Sequence, residues 1–186
     1  ADIYPDLASI QRQFHHLVRC VPGSGLIISP AAVPAIEATL ALGRWTPRVT
    51  MSVGAATATP GVDTADGGDA WRAELLAADG TRWRLRTPSG ADHEVQWAQR
   101  GAHNVANALA AVVAARHVGV PPAQAVASLA RFAGVRRRLE LVGDVDGVRV
   151  YDDFAHHPTA IRSTLAALRD DSGLRRLVAV IEPRSN

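Results

Sequence analysis

Asp152 and Asp153, followed by His156, His157 and Pro158, form the densest group of reactive side chains in this 186-residue sequence. Two adjacent acids at a strand end can cap a turn, ligate a cation, or accept hydrogen bonds from ribose hydroxyls. Val148–Tyr151 reads as the strand that delivers them, and Pro158 suits the first position of a helix with His157 as its cap. Open α/β folds bind ligands at such a place, outside the carboxyl ends of strands. A second group is Arg136-Arg137-Arg138. A planar guanidinium fork suits an anion or a purine, while the plain alternative is a solvated charge run. In a strand, Arg136, Arg138 and Glu140 share one face, which leaves Arg137 on the apolar side or in a bulge. The third candidate is Asn107, an amide within the otherwise apolar run Val105–Ala115. If buried without a partner it costs about 1–3 kcal/mol, so it either bonds backbone from a neighbouring loop or meets a ligand. The pattern by itself favours the backbone.

The elements that must position these groups follow from periodicity and breakers. Asp6–Arg19 has the three- and four-residue apolar spacing of a helix, with His15 and His16 in its last turns. Pro22–Gly25 is a turn, Leu26–Ser29 a strand, Pro30–Leu42 a helix and Arg48–Val53 a strand. Strand–helix–strand order implies a parallel, right-handed crossover. Ala55–Gly68 reads as a loop, followed by strands over Ala70–Ala77, Thr81–Thr87 and His93–Ala98. In the middle one, Trp83 and Leu85 alternate with three arginines, a half-buried antiparallel pattern. Trp71, Trp83 and Trp97 are read as packing residues. A helix from the Gly101-Ala-His-Asn segment to His117 takes Asn104 as its cap, and Pro121–Phe132 forms another. Asp144–Gly147 is a turn, and Arg175–Ile181 a further strand.

Composition bounds the function classes. Hydrophobic residues make up 47 % and charged residues 20 %, which suits a globular protein with a substantial core. The longest purely apolar run, Ala108–Ala115, is far below the roughly 20 residues of a membrane span. A single cysteine, Cys20, excludes a disulfide framework and fits a reducing, cytoplasmic setting. All 20 basic residues are arginine, and the net charge is only +2. Apart from residues 136–138 the arginines are scattered, so no nucleic-acid face is expected. Without lysine, a Walker-type phosphate loop cannot lie within this sequence.

Three segments, in this order and spacing, resemble the Mur ligase superfamily. They are G-x-H-N-x-x-N-A at Gly101–Ala108, G-V-x-R-R-L-E at Gly134–Glu140, and D-D-F-A-H-H-P-T at Asp152–Thr159. Together they cover roughly the last half of the sequence. The Asp-Asp-Phe-Ala-His-His-Pro-Thr form and the ending Glu-Pro-Arg-Ser-Asn most resemble the murein peptide ligase branch. The sister branch that takes L-alanine usually has tyrosine and glycine where Phe154 and Ala155 stand.

That resemblance implies an α/β fold, part of a mixed-sheet central ATPase domain followed by the first half of a Rossmann-like C-terminal domain. The division would fall between residues 1–134 and 135–186. It implies an ATP- and Mg²⁺-dependent ligase of peptidoglycan recycling that joins L-alanyl-γ-D-glutamyl-meso-diaminopimelate to UDP-N-acetylmuramate through an acyl phosphate. By position, Asn107 matches an adenine-contacting asparagine, Arg138 a nucleotide-contacting arginine and Asp153 a ribose-contacting aspartate, which reverses the pattern-based reading of Asn107. His103 and Asn104 would shape the same pocket, and His156, His157 and Arg184 would face the substrate. No catalytic residue and no metal ligand is assigned. Some branches carry a carbamoylated lysine near the position of His15, which this sequence cannot supply. The expectation is an internal fragment that neither hydrolyses ATP nor ligates by itself. The competing readings are the L-alanine ligase, a metal-dependent hydrolase built on Asp152, Asp153, His156 and His157, and a non-catalytic nucleotide-binding module.

Overall fold

The computed structural model describes residues 3–55, 70–170 and 173–182. Helix α1 (Leu7–Cys20) begins where Asp6, in extended conformation, accepts a hydrogen bond from the Ser9 amide at 2.7 Å. This satisfies one of the free N–H groups of the first turn. Strand β1 (Ile27–Pro30), helix α2 (Pro34–Ala41) and strand β2 (Arg48–Ala55) form the expected crossover, with β1 and β2 parallel. Helix α2 starts four residues later than the sequence suggested. Pro30 ends β1, a turn with Ala32 at φ +57° follows, and Pro34 takes the first helical position instead.

Strands β3 (Ala70–Leu75), β4 (Arg82–Arg86) and β5 (Asp92–Gln96) complete one mixed sheet in the order β1-β2-β3-β4-β5. Strand β3 pairs parallel with β2, and β3–β4–β5 is an antiparallel meander. Most of the loop expected over Ala55–Gly68 lies outside the described residues. The alternation in β4 divides the sheet cleanly. Trp83 and Leu85 are fully buried, whereas Arg84 and Arg86 join Glu74, Asp92 and Glu94 in ion pairs on the other face.

Helix α3 (Ala102–His117) covers the buried face. Val105, Ala108, Leu109, Val112 and Val113 recur at three- and four-residue spacing and meet Trp71, Ala73, Trp83, Leu85, Val95 and Trp97. Helix α4 (Pro122–Leu129) adds Ala125, Val126 and Leu129 to the edge of this core. The tryptophans therefore pack as expected, and Trp97 also donates its Nε1–H to Gly80 O at 2.8 Å. Leu109→Ala is expected to destabilise this unit by about 2–5 kcal/mol, read as a lower urea midpoint at an unchanged slope.

Strands β6 (Glu140–Val145) and β7 (Val148–Asp152) form a separate antiparallel hairpin with a bulge between Leu141 and Gly143. Helix α5 (Pro158–Arg169) follows, with His157 at its N-cap position and with Ala167 and Leu168 buried. Two expected strands are absent. Gly134–Leu139 is a turn, because Arg137 and Leu139 take φ of +58° and +52°, which no strand permits. Residues 173–182 make no ladder among the described residues, and Val180 there is 97 % exposed. An apolar β-prone run becomes a strand only when a neighbour takes its backbone hydrogen bonds. The apolar stripe of α1 is likewise open, with Leu7, Phe14 and Leu17 all more than half exposed.

Candidate functional site

The site is assembled from three turns. The first is the start of α3. Gly101 precedes the helix at φ +90°, and its N–H donates to Asp79 O at 2.7 Å. Arg100 reaches the Asp79 carboxylate at 3.1 Å, so the β3–β4 turn anchors this end of the helix. A Cβ on Gly101 would come within 2.8 Å of both the His103 ring and the Ala167 methyl. Gly101 therefore permits the close approach of α5 to α3. Gly101→Ala combines left-handed strain with that overlap and is expected to cost about 1–3 kcal/mol in a denaturant titration. Asn104 is not the cap. It lies inside the first turn, and its Nδ2 donates back to Arg100 O at 2.8 Å.

The second turn carries the arginines, and the third the acids. They are stapled together by backbone: Leu139 N–H donates to Asp153 Oδ2 at 2.7 Å, and Phe154 N–H donates to Arg137 O at 2.9 Å. Asp153 Oδ1 accepts from Ala155 N–H at 2.7 Å. The Asp153 carboxylate thus shapes both turns and keeps acceptor capacity for a further donor, since an ionised carboxylate has about four lone-pair sites. Arg137 is held by Asp152, with Nε 3.3 Å from Oδ2, and its own amide donates to Glu140. The guanidinium of Arg138 has no hydrogen-bond or ion-pair partner among the described residues. It lies 5.7 Å from the Phe154 ring centre.

His103, in the first turn of α3, is partly buried. Burial lowers its pKa below 6.5, and the nearby Asp153 charge opposes that shift. A depressed histidine is neutral in the folded state and binds protons more readily when unfolded. Its contribution to stability is therefore complete above about pH 6.5 and lost as pH falls from there through the folded pKa. Unfolding midpoints should drop below pH 6.5, and His103→Gln should flatten that drop.

Asn107 lies one turn beyond His103 on the same face of α3. It is exposed, so the penalty of an unpaired interior amide does not arise. The structure thus sets His103 within the field of the Asp153 charge and Arg138 beside the Phe154 ring, while Asn107 is exposed one turn along α3 from His103. His157 occupies the N-cap position of α5 without a side-chain capping bond, while His156 is turned back, with Nδ1 2.9 Å from Phe154 O. Arg184 lies outside the described residues. No group of three or more His, Cys, Asp and Glu side chains among the described residues is placed to hold a metal ion. His15 faces the backbone of Gly43 at 3.1 Å. Phe154, read from sequence only as a departure from tyrosine, and the left-handed Arg137 and Leu139 are the parts that sequence reasoning missed.

An acid turn and an arginine turn are bonded to each other beside a mixed sheet covered by α3, and over its whole length the chain is similar in sequence to Mur ligases. Residues 137–186 match the family model "Mur ligase, glutamate ligase domain". Over its whole length the chain is 47 % identical to the UDP-N-acetylmuramate–L-alanyl-γ-D-glutamyl-meso-2,6-diaminoheptandioate ligase of Escherichia coli, of which it spans 38 %. The crystal structure of a murein peptide ligase from Psychrobacter arcticus superposes with a TM-score of 0.69 at 47 % identity. That match covers 98 % of this chain and 36 % of the other. The UDP-N-acetylmuramate–L-alanine ligase of Stenotrophomonas maltophilia is 36 % identical over 96 % of the chain and 36 % of its own length.

Proposed function

We propose that the intact protein bearing this segment is an ATP-dependent amide-bond ligase of peptidoglycan recycling. It joins L-alanyl-γ-D-glutamyl-meso-diaminopimelate to UDP-N-acetylmuramate. The observation that carries the reading is the 47 % identity to a ligase of that name along the full segment, against 36 % to a ligase named for L-alanine. The chain spans about two fifths of the length of the first relative, and the activity is proposed for the whole protein.

The residues present suit a nucleoside triphosphate. Arg138 offers a guanidinium without a polar partner among the described residues, Asp153 retains acceptor sites, and Asn107 presents an exposed amide on α3. ATP, when bound, supplies the phosphoryl group that activates the muramate carboxylate. In this reading Asn107 contacts the adenine and Asp153 accepts from a ribose hydroxyl, while Arg138 pairs with nucleotide oxygens. His103 and Asn104 shape the pocket wall. His156, His157 and Arg184 are assigned to the substrate side. Mg²⁺ is expected with ATP, but no residue of this chain is assigned to it.

Residues 1–134 are assigned to the central domain and residues 135–186 to the start of the C-terminal domain. Asn107 then contributes from the first and Arg138 and Asp153 from the second. Nucleotide binding and closure of the two would be one event, which aligns reactants and excludes water. Cytoplasmic location follows from the nucleotide substrates proposed. Titration of a non-hydrolysable ATP analogue into the intact protein tests the site. Asn107→Ala is expected to weaken binding by about fivefold or more, as loss of one buried hydrogen bond does. Unchanged affinity would remove Asn107 from the nucleotide.

A further inference from the structure

We propose that Phe154 is a positioning residue for Arg138, holding its guanidinium in the orientation that meets the nucleotide. The inference rests on the reading of Arg138 as a nucleotide contact. Phe154 is a large apolar side chain left 50 % exposed beside the site. Its ring is faced by three groups: Arg137 at 5.4 Å, Arg138 at 5.7 Å, and the His156 ring edge-on at 5.0 Å. Both guanidinium distances lie within the range of cation–π attraction. The backbone that carries the ring is held, because the Phe154 amide donates to Arg137 O and its carbonyl faces His156 Nδ1.

The two arginines are not equivalent. Arg137 is held by the Asp152 carboxylate and by its own left-handed backbone. Among the described residues, the Arg138 guanidinium has only the ring. An arginine otherwise free in solvent loses much rotamer freedom on binding an anion, and a surface that restricts it beforehand reduces that loss. An aromatic face does this without occupying the N–H donors that the ligand needs, whereas a carboxylate partner would compete for them. Tyrosine offers the same face; an aliphatic side chain of similar size does not.

A double-mutant cycle in the intact ligase tests this, with affinity for a non-hydrolysable ATP analogue and the KM for UDP-N-acetylmuramate as readouts. Phe154→Ala and Phe154→Leu should each weaken analogue binding about threefold to tenfold, the scale of a lost cation–π contact. Phe154→Tyr should bind as the parent does, and the KM for UDP-N-acetylmuramate should not change. In an Arg138→Ala background, Phe154→Ala should add no further loss. Additive losses would show the ring acting on the nucleotide directly and would overturn the proposal. So would parental affinity in Phe154→Ala or Phe154→Leu when Arg138→Ala alone is impaired. Parental affinity in Arg138→Ala would instead overturn the nucleotide reading beneath it. Phe154→Leu keeps the apolar volume, so it remains informative if Phe154→Ala fails to fold.

Discussion

On the proposed function, Asp153→Ala is expected to abolish measurable ATP turnover by the intact protein, a loss of at least about a hundredfold, and to loosen the joined turns at the same time. Its two carboxylate oxygens serve different donors, Oδ1 the Ala155 amide and Oδ2 the Leu139 amide. Hydrogen bonds to a charged group contribute about 1.5–3 kcal/mol each, so removing both costs several kcal/mol locally. The Leu139 bond also fixes a residue at φ +52°, a conformation that needs such a restraint. Asp153→Asn separates the two roles. An amide has one oxygen, so it satisfies one backbone N–H and turns an NH₂ toward the other. The Asn variant should therefore fold with a lower midpoint, bind nucleotide more weakly, and keep the Phe154–Arg137 backbone bond. Amide exchange at Leu139 and Ala155 gives the local reading, and steady-state turnover gives the functional one. Equal protection of Leu139 in the parent and the Ala variant would show that Asp153 does not hold the arginine turn.

The second large effect is in the core. Trp83→Ala should destabilise the five-stranded unit by about 3–5 kcal/mol, because a fully buried indole cannot be replaced by collapse of a sheet against α3. Trp83→Phe should cost much less. The Trp83 Nε1–H is buried without a partner among the described residues, so phenylalanine discards an unsatisfied donor along with part of the ring. What it loses is part of the edge-to-face contact with Trp97, at 6.1 Å between centres. Trp97 differs, since its indole N–H is bonded to Gly80 O, and Trp97→Phe should be the more costly of the two conservative changes. Urea titration of the four proteins gives the order directly.

The sheet was legible in the sequence because its signals are local. Trp83 and Leu85 alternate with arginines, and Val105 to Val113 carries one apolar face. The arginine turn was not. Gly134–Glu140 alternates well enough to suggest a strand, and nothing in side-chain type announces that Arg137 and Leu139 adopt left-handed conformations. That geometry is imposed by Asp153 and Phe154 from 14 or more residues away in sequence, a tertiary restraint that propensity does not contain. Asn104 misled for a related reason: its amide bonds backward to Arg100, while Gly101 supplies the turn into the helix. Residues 173–182 show the complementary error, an apolar run whose β tendency finds no neighbouring strand among the described residues. Asp152, Asp153, His157 and Pro158 fell where the sequence put them, at a strand end and a helix start, because caps and proline act within a few residues.

The central claim is that this segment belongs to a ligase that selects a preformed tripeptide. Its most direct test is ATP-dependent phosphate release by the intact protein with UDP-N-acetylmuramate, supplied either with L-alanyl-γ-D-glutamyl-meso-diaminopimelate or with L-alanine. Release with the tripeptide, accompanied by the UDP-linked tripeptide product and by little release with L-alanine, is the predicted result. Efficient turnover with L-alanine and none with the tripeptide would contradict it.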